Sequence, residues 1–275
     1  MKEFFVPNTV TSFSNDNPFV LIAGPCQVES KDHAIQMCGS LLEISMLYNI
    51  PLVYKSSFDK ANRTSINSER GLGLEKSLQV FEEIQNQFKV PVITDVHESG
   101  QCKEVASDVD VLQIPAFLCR QTDLLVASAE TQKPIMIKKG QFMAPWDMKN
   151  VIEKISHIND KILLCERGTS FGYNRLVADM TSLHIMKETK YPVIFDATHS
   201  VQQPGGMGAT SGGNREFVPV LARCAMTIGL AGLFMEVHQD PDNAPSDGPN
   251  MLKLEDLQDL LKQLYDIDES TKGGF

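Results

Sequence analysis

Eight short runs of apolar, β-branched residues recur along the chain, at 19–23, 52–55, 90–95, 111–114, 134–138, 162–166, 192–196 and 232–236. Each has strand length, and longer segments with helical periodicity separate them. In one such segment Leu72, Leu74, Leu78, Phe81, Ile84 and Phe88 are spaced mostly by three or four, which places them on one buried stripe of a helix. Comparable stripes cover 34–48, 176–187 and 252–265. Strands alternating with helices imply parallel βαβ units. Eight units close naturally into a (β/α)8 TIM barrel; a doubly wound open sheet is the alternative, and the count and even spacing favour the barrel.

At 275 residues the chain fits a single barrel domain. Residues 1–18, with Pro7 and Pro18 among polar positions, read as a segment capping one barrel end, and 269–275 read as a frayed tail. Hydrophobic residues make up 42% and charged residues 22%, the composition of a globular protein and too apolar for a disordered one. The net charge of −10 argues against a nucleic-acid surface, so any anionic ligand must be held by local cations. No apolar stretch approaches the roughly 18–20 residues that span a bilayer, and the N-terminus lacks the basic and apolar regions of a signal peptide. A soluble, cytoplasmic protein with no membrane partner is expected. Six cysteines at 26, 38, 102, 119, 165 and 224 form no CxxC pair, and only Cys26 stands where a chemical role can be argued.

In barrels the reacting groups come from the C-terminal ends of the strands and the loops after them. The first run leads into Gly24-Pro25-Cys26, the second into Lys55, Ser57 and then Lys60-Ala-Asn62-Arg63, and the third into Asp95 and His97. The fourth holds Gln113 before Pro115-Ala116-Phe117, the fifth delivers Lys138 and Lys139, and the sixth Glu166-Arg167. The seventh leads to Asp196 and His199, and the eighth to Glu236 and His238. Any one of these is most simply a satisfied loop charge; together they predict a polar ring at one mouth. Lys55, Lys60, Lys138 and Arg167 suit a small, multiply charged anion. Cys26, His199, Glu236 and Asp247 supply a thiolate, an imidazole and two carboxylates, donors for a divalent transition metal. The first, seventh and eighth strands adjoin when a barrel closes, and Asp247 lies in the following loop, 241–250. The glycine-rich stretch 204–213 lacks the P-loop and dinucleotide spacings, leaving a lid, an anion cradle or a plain loop open.

Several motifs carry a resemblance. Ala-Gly-Pro-Cys26, Lys55-Ser-Ser-Phe-Asp-Lys60-Ala-Asn-Arg63-Thr-Ser, Thr94-Asp-Val-His-Glu, Gln113-Ile-Pro-Ala-Phe, Arg120-Gln-Thr-Asp-Leu, Lys138-Lys-Gly-Gln, Glu166-Arg-Gly, Phe195-Asp-Ala-Thr-His199-Ser and Ser246-Asp-Gly-Pro-Asn resemble the 3-deoxy-D-manno-octulosonate 8-phosphate synthase family over about 19–268. The resemblance implies condensation of phosphoenolpyruvate with D-arabinose 5-phosphate in lipopolysaccharide synthesis. It also implies a homotetramer in which Arg63 serves a neighbouring active site. Lys60, Lys138, Arg167, Ser57, Gln113, Ala116 and Phe117 fall where phosphoenolpyruvate is held, and Asn62, Arg63, Thr64 and Asp95 where the aldose is held, with Lys55 and Arg120 further substrate-binding positions. Lys60, Lys138, His199 and Asp247 are the positions expected at the reacting atoms. The family has a metal-using branch with Cys and a metal-free branch with Asn after Gly-Pro. Cys26 therefore implies a divalent ion, whether zinc, iron, manganese or cobalt. The sibling synthase using erythrose 4-phosphate typically reads Lys-Pro-Arg-Thr-Ser in the second loop, so Asn62 discriminates against it. A Schiff-base aldolase using Lys60 or Lys138, and a non-catalytic barrel sensing metal or sugar phosphate, are the rival readings.

Overall fold

The computed structural model describes residues 1–63, 65–67, 69–206 and 212–273. The eight runs form parallel strands: β1 Val20–Gly24, β2 Leu52–Lys55, β3 Val92–Asp95, β4 Val111–Ile114, β5 Ile135–Lys138, β6 Ile162–Glu166, β7 Val193–Asp196 and β8 Gly232–His238. Each pairs with the next, and β8 returns to β1 from Gly232↔Val20 to Glu236↔Gly24. That last ladder closes the barrel and excludes the open sheet. Eight helices surround it: α1 Lys31–Met46, α2 Leu74–Phe88, α3 Gln101–Asp108, α4 Thr122–Glu130, α5 Met148–Glu153, α6 Met180–Lys187, α7 Val218–Met226 and α8 Leu254–Lys272.

Strand parity explains both the core and the mouth. Successive side chains point to opposite faces of a strand. Val20, Ile22, Val53, Ile93, Val111, Met136, Leu163, Ile194 and Phe234 fill the barrel interior, while Leu21, Tyr54, Val92, Leu112, Ile137, Leu164, Phe195 and Leu233 pack outward under the helices. Two residues beyond six of these inward positions the same parity delivers a polar group to the mouth. Val53 leads to Lys55, Ile93 to Asp95, Val111 to Gln113, Met136 to Lys138, Ile194 to Asp196 and Phe234 to Glu236. Phe234 is the floor of that mouth, with the Lys138 ammonium 3.6 Å above its ring centroid. At two points the strands tolerate no side chain: a Cβ on Gly24 would lie 1.9 Å from the Lys55 carbonyl oxygen, and one on Gly232 2.8 Å from that of Val20.

At the opposite end Phe4–Phe5 and Ser12–Phe13 pair as a short antiparallel hairpin, and Val6 and Phe13 join the interior cluster. The tail expected to fray at 269–275 instead continues α8 through Lys272. Its anchor is Asp268, which is buried, accepts from the Phe19 backbone N–H at 3.0 Å and lies 2.8 Å from the Lys272 ammonium. Helical periodicity also overran its start at 176. Leu176–Val177 pair with Thr169–Ser170, and α6 begins only where the Asp179 carboxylate accepts the Thr181 N–H. No described helix is long and apolar enough to cross a membrane.

Candidate active site

The strand ends open into one cavity of about 870 Å³. Of the residues singled out from the sequence, Lys55, Lys60, Asn62, Arg63, Asp95, Gln113, Ala116, Phe117, Lys138, Arg167, His199, Glu236 and Asp247 line it. Ser57 is buried beneath the wall, where its hydroxyl oxygen accepts from the ammonium groups of both Lys55 (2.7 Å) and Lys60 (2.9 Å). Thr64 lies outside the described residues. Arg120 is not on this cavity: its side chain is exposed, and only its carbonyl is engaged, by Lys154 at 2.8 Å.

Three members of the expected polar ring turn away: Glu166 is buried behind the wall, accepting from the backbone N–H groups of Arg167 and Gly168 and from the Ser182 hydroxyl. Lys139 follows Lys138 with opposite parity and is buried, donating to the Met143 carbonyl (3.1 Å) and Thr169 hydroxyl (3.2 Å) and lying 3.5 Å from Glu166. His238 is also buried, with Nε2 donating to Glu29 at 2.9 Å and Nδ1 accepting from the Asp240 N–H at 3.0 Å. His33 lies close enough for Glu29, His33 and His238 to resemble a donor triad, yet both ring nitrogens of His238 are already used. The triad braces α1 against the end of β8.

Arg63 lines the cavity of its own chain. Its guanidinium donates to the Ser246 hydroxyl (2.8 Å), Gln27 (3.1 Å) and the carbonyls of Pro245 (3.1 Å) and Glu69 (2.8 Å). Four acceptors from the same chain explain that placement.

The cations are only partly neutralised. Lys138 lies 2.5 Å from Asp196, Lys55 3.6 Å from Asp95, and both Lys55 and Lys60 just under 4 Å from Glu236. Burial, reinforced by the neighbouring Lys60, lowers the pKa of Lys55. Burial opposes the charge on Lys60 too, but Cys26, Glu236, Asp95 and Asp247 together raise its pKa. Asp95 is held well below the usual carboxylate range despite burial, by Lys55, a hydrogen bond from His97 and Lys60. Arg167 is buried, and its Nη1 has no partner among the described residues. An unpaired buried guanidinium nitrogen is costly and suits an incoming oxyanion.

The donor set also converges. Ligand atoms of Cys26, Glu236 and Asp247 lie within 4.8 Å of one another, with Cys26 Sγ 3.2 Å from Asp247 Oδ2. His199 Nε2 is 3.7 Å from Glu236 and 3.8 Å from Asp247, while its Nδ1 faces the Asp196 carboxylate at 2.7 Å. That second contact fixes which nitrogen faces the donors. Both oxygens of Glu236 are buried and accept no hydrogen bond from the described residues. A buried carboxylate left so bare, beside a thiol and a second carboxylate, fits a divalent cation. Burial, followed by the charge of Glu236, pushes the Cys26 thiol well up.

Gln141, Gln202, Arg215 and Ser246 also line the cavity. None ends a strand, and Gln141 and Ser246, each inside a family-like motif, carried the sequence signals.

Residues 6–273 match the DAHP synthetase I family. The chain belongs to it. Relatives named 2-dehydro-3-deoxyphosphooctonate aldolase include proteins of Bartonella quintana, 60% identical over 98% of this chain and 99% of that one, and Rickettsia bellii, 61% identical over 94% of each. The Rickettsia prowazekii protein of that name is 58% identical over 99% of both chains.

Proposed function

We propose that the chain condenses phosphoenolpyruvate with D-arabinose 5-phosphate and water, giving 3-deoxy-D-manno-octulosonate 8-phosphate and inorganic phosphate. Full-length similarity to enzymes named for the product supports this over the erythrose 4-phosphate reading. The observation that carries it is a wall of buried or half-buried cations, Lys55, Lys60, Lys138 and Arg167, facing one cavity beside the Cys26, Glu236 and Asp247 cluster.

The chemistry joins two anions. C3 of phosphoenolpyruvate attacks the aldehyde carbon, whose oxygen takes a proton; water adds at C2, and the C2–O bond to phosphate then breaks, releasing inorganic phosphate. Lys60, Lys138 and Arg167 neutralise the carboxylate and phosphate, turning a repelling encounter into an oriented one. Ser57 holds the Lys55 and Lys60 ammonium groups in register, and Asp196 holds Lys138. Asn62, Arg63 and Asp95 take the aldose. Cys26, His199, Glu236 and Asp247 hold a divalent ion of zinc, iron, manganese or cobalt, which when bound supplies Lewis acidity and orders the site. The enzyme works in the cytoplasm as a homotetramer. Exposed Phe117, Phe142, Trp146, Phe171 and Tyr173 on the loops after β4, β5 and β6 support assembly, since apolar rims of this kind mark protein contacts. Sedimentation velocity tests it; a monomer at micromolar concentration would contradict it.

The deciding assay is phosphate release from phosphoenolpyruvate with arabinose 5-phosphate beside erythrose 4-phosphate. Release with the five-carbon aldose alone is expected. Silence with every aldose would favour a sensor barrel, and a borohydride-trapped adduct on Lys60 or Lys138 would favour the Schiff-base aldolase.

A further inference from the structure

Gln202 occupies a place that the substrate and metal assignments do not use. It follows the one-turn 3-10 helix His199–Val201, and its side chain enters the cavity between the cation wall and the donor cluster. Its amide engages both sides at once. Oε1 accepts from Arg167 Nη2 at 2.9 Å, and Nε2 donates to Asp247 Oδ1 at 3.2 Å. A carboxamide is the side chain that can do this in one orientation, because one end only accepts and the other only donates. The two contacts therefore fix the flip of the amide, and each depends on the other.

Both partners need such a hold. Asp247 has a left-handed backbone, φ 52°, unusual for a residue other than glycine, and sits on the loop after β8 rather than on a barrel strand. With Oδ1 accepting from Gln202, Oδ2 is the oxygen presented to Cys26 and His199. Arg167 is buried and gives Nη2 to Gln202, leaving Nη1 without a partner among the described residues. Gln202 thus sets which oxygen of Asp247 faces the cation and which nitrogen of Arg167 faces the anion. Ligating carboxylates generally depend on such outer hydrogen bonds.

We propose that Gln202 is a positioning residue that couples the two halves of the site, so that divalent-metal binding at Asp247 and phosphoenolpyruvate binding at Arg167 strengthen each other. The inference rests on the functional reading above. Coupling is reciprocal: whatever factor the metal adds to phosphoenolpyruvate affinity, phosphoenolpyruvate adds to metal affinity.

The test is calorimetric titration of the full-length protein with phosphoenolpyruvate in the absence of aldose, first metal-free and then saturated with manganese(II). The converse titration adds manganese with and without phosphoenolpyruvate. The wild-type protein should show a coupling factor of about fivefold or more in both directions. In Gln202→Met, which keeps length but neither polar contact, that factor should fall at least about threefold, leaving the direct attraction of cation for anion. Gln202→Glu separates the limbs, since it keeps an oxygen for Arg167 and loses the donor to Asp247. Its carboxylate also partly neutralises Arg167, so its metal-free phosphoenolpyruvate affinity should fall by roughly tenfold, while its coupling factor falls as in the Met variant. A coupling factor unchanged within about twofold in either variant that binds both ligands overturns the proposal and leaves the functional reading standing. A wild-type protein that binds neither manganese nor phosphoenolpyruvate overturns both.

Discussion

Replacing Lys139 by Met should weaken the protein through a pair that never touches substrate. Lys139 and Glu166 are both buried, with ammonium and carboxylate 3.5 Å apart. At an effective dielectric of 20 that separation corresponds to an attraction of about 5 kcal/mol. Removing one partner of a buried pair typically costs about 3–5 kcal/mol. The lower end applies, because Glu166 keeps three donors: the backbone N–H groups of Arg167 (3.0 Å) and Gly168 (2.7 Å) and the Ser182 hydroxyl (2.9 Å). A loss near 3 kcal/mol is a large share of a total stability of about 5–15 kcal/mol. Equilibrium urea unfolding of Lys139→Met, Glu166→Gln and the double variant forms a complete cycle, and the double variant should lose less than the sum by about 1 kcal/mol or more. The same sequence neighbours carry Lys138 and Arg167, so the KM for phosphoenolpyruvate should rise in Lys139→Met. Single losses under about 1 kcal/mol, or additivity within about 0.5 kcal/mol, would refute the ion-pair account.

Chelation should abolish phosphate release and added manganese or zinc restore it; full turnover in metal-stripped protein would remove Cys26, His199, Glu236 and Asp247 as ligands. Arg63→Ala should weaken arabinose 5-phosphate binding by roughly 10- to 100-fold, the value of a charge-assisted hydrogen bond worth about 1.5–3 kcal/mol. Phosphoenolpyruvate binding should change far less, and equal losses in the two KM values would contradict the split. Gly24→Ala should abolish soluble expression, because the new methyl would fall 1.9 Å from the Lys55 carbonyl oxygen, a backbone atom locked between two strands. Wild-type yield from that variant would show that β1 and β2 can separate.

Much of this was legible in sequence because a barrel writes one pattern eight times. Each strand announced itself as a short apolar run, and most of the polar residues near the run ends reach the mouth. In the structure Lys55, Asp95, Gln113, Lys138, Asp196 and Glu236 each lie two positions after an inward apolar residue. The opposite parity sends Lys139 and Glu166 under the wall. Gln202 and Arg215 left no such mark: each lies in an irregular loop, where no period links a residue to the face it occupies. Arg215 reaches the cavity rim only because its guanidinium donates to Asp242 (2.8 Å) and the Gly248 carbonyl (2.7 Å), contacts between distant loops. The end of α8 was misjudged for a related reason. Its polar composition reads as a tail, and the Asp268 contact that orders it is made with Phe19, at the other end of the chain.

That contact also sets a clock. The bond from Phe19 to Asp268 spans 249 residues, and the ladder from β8 to β1 spans almost as many. A ribosome adding about 5–20 residues per second needs roughly 10–40 s to travel from β1 to β8. Throughout that interval β1 has a partner on one side and a bare edge on the other, the kind of edge that recruits foreign strands. The nascent chain must therefore be shielded for longer than most small domains take to fold, and its yield in a cell should follow the rate at which it is translated.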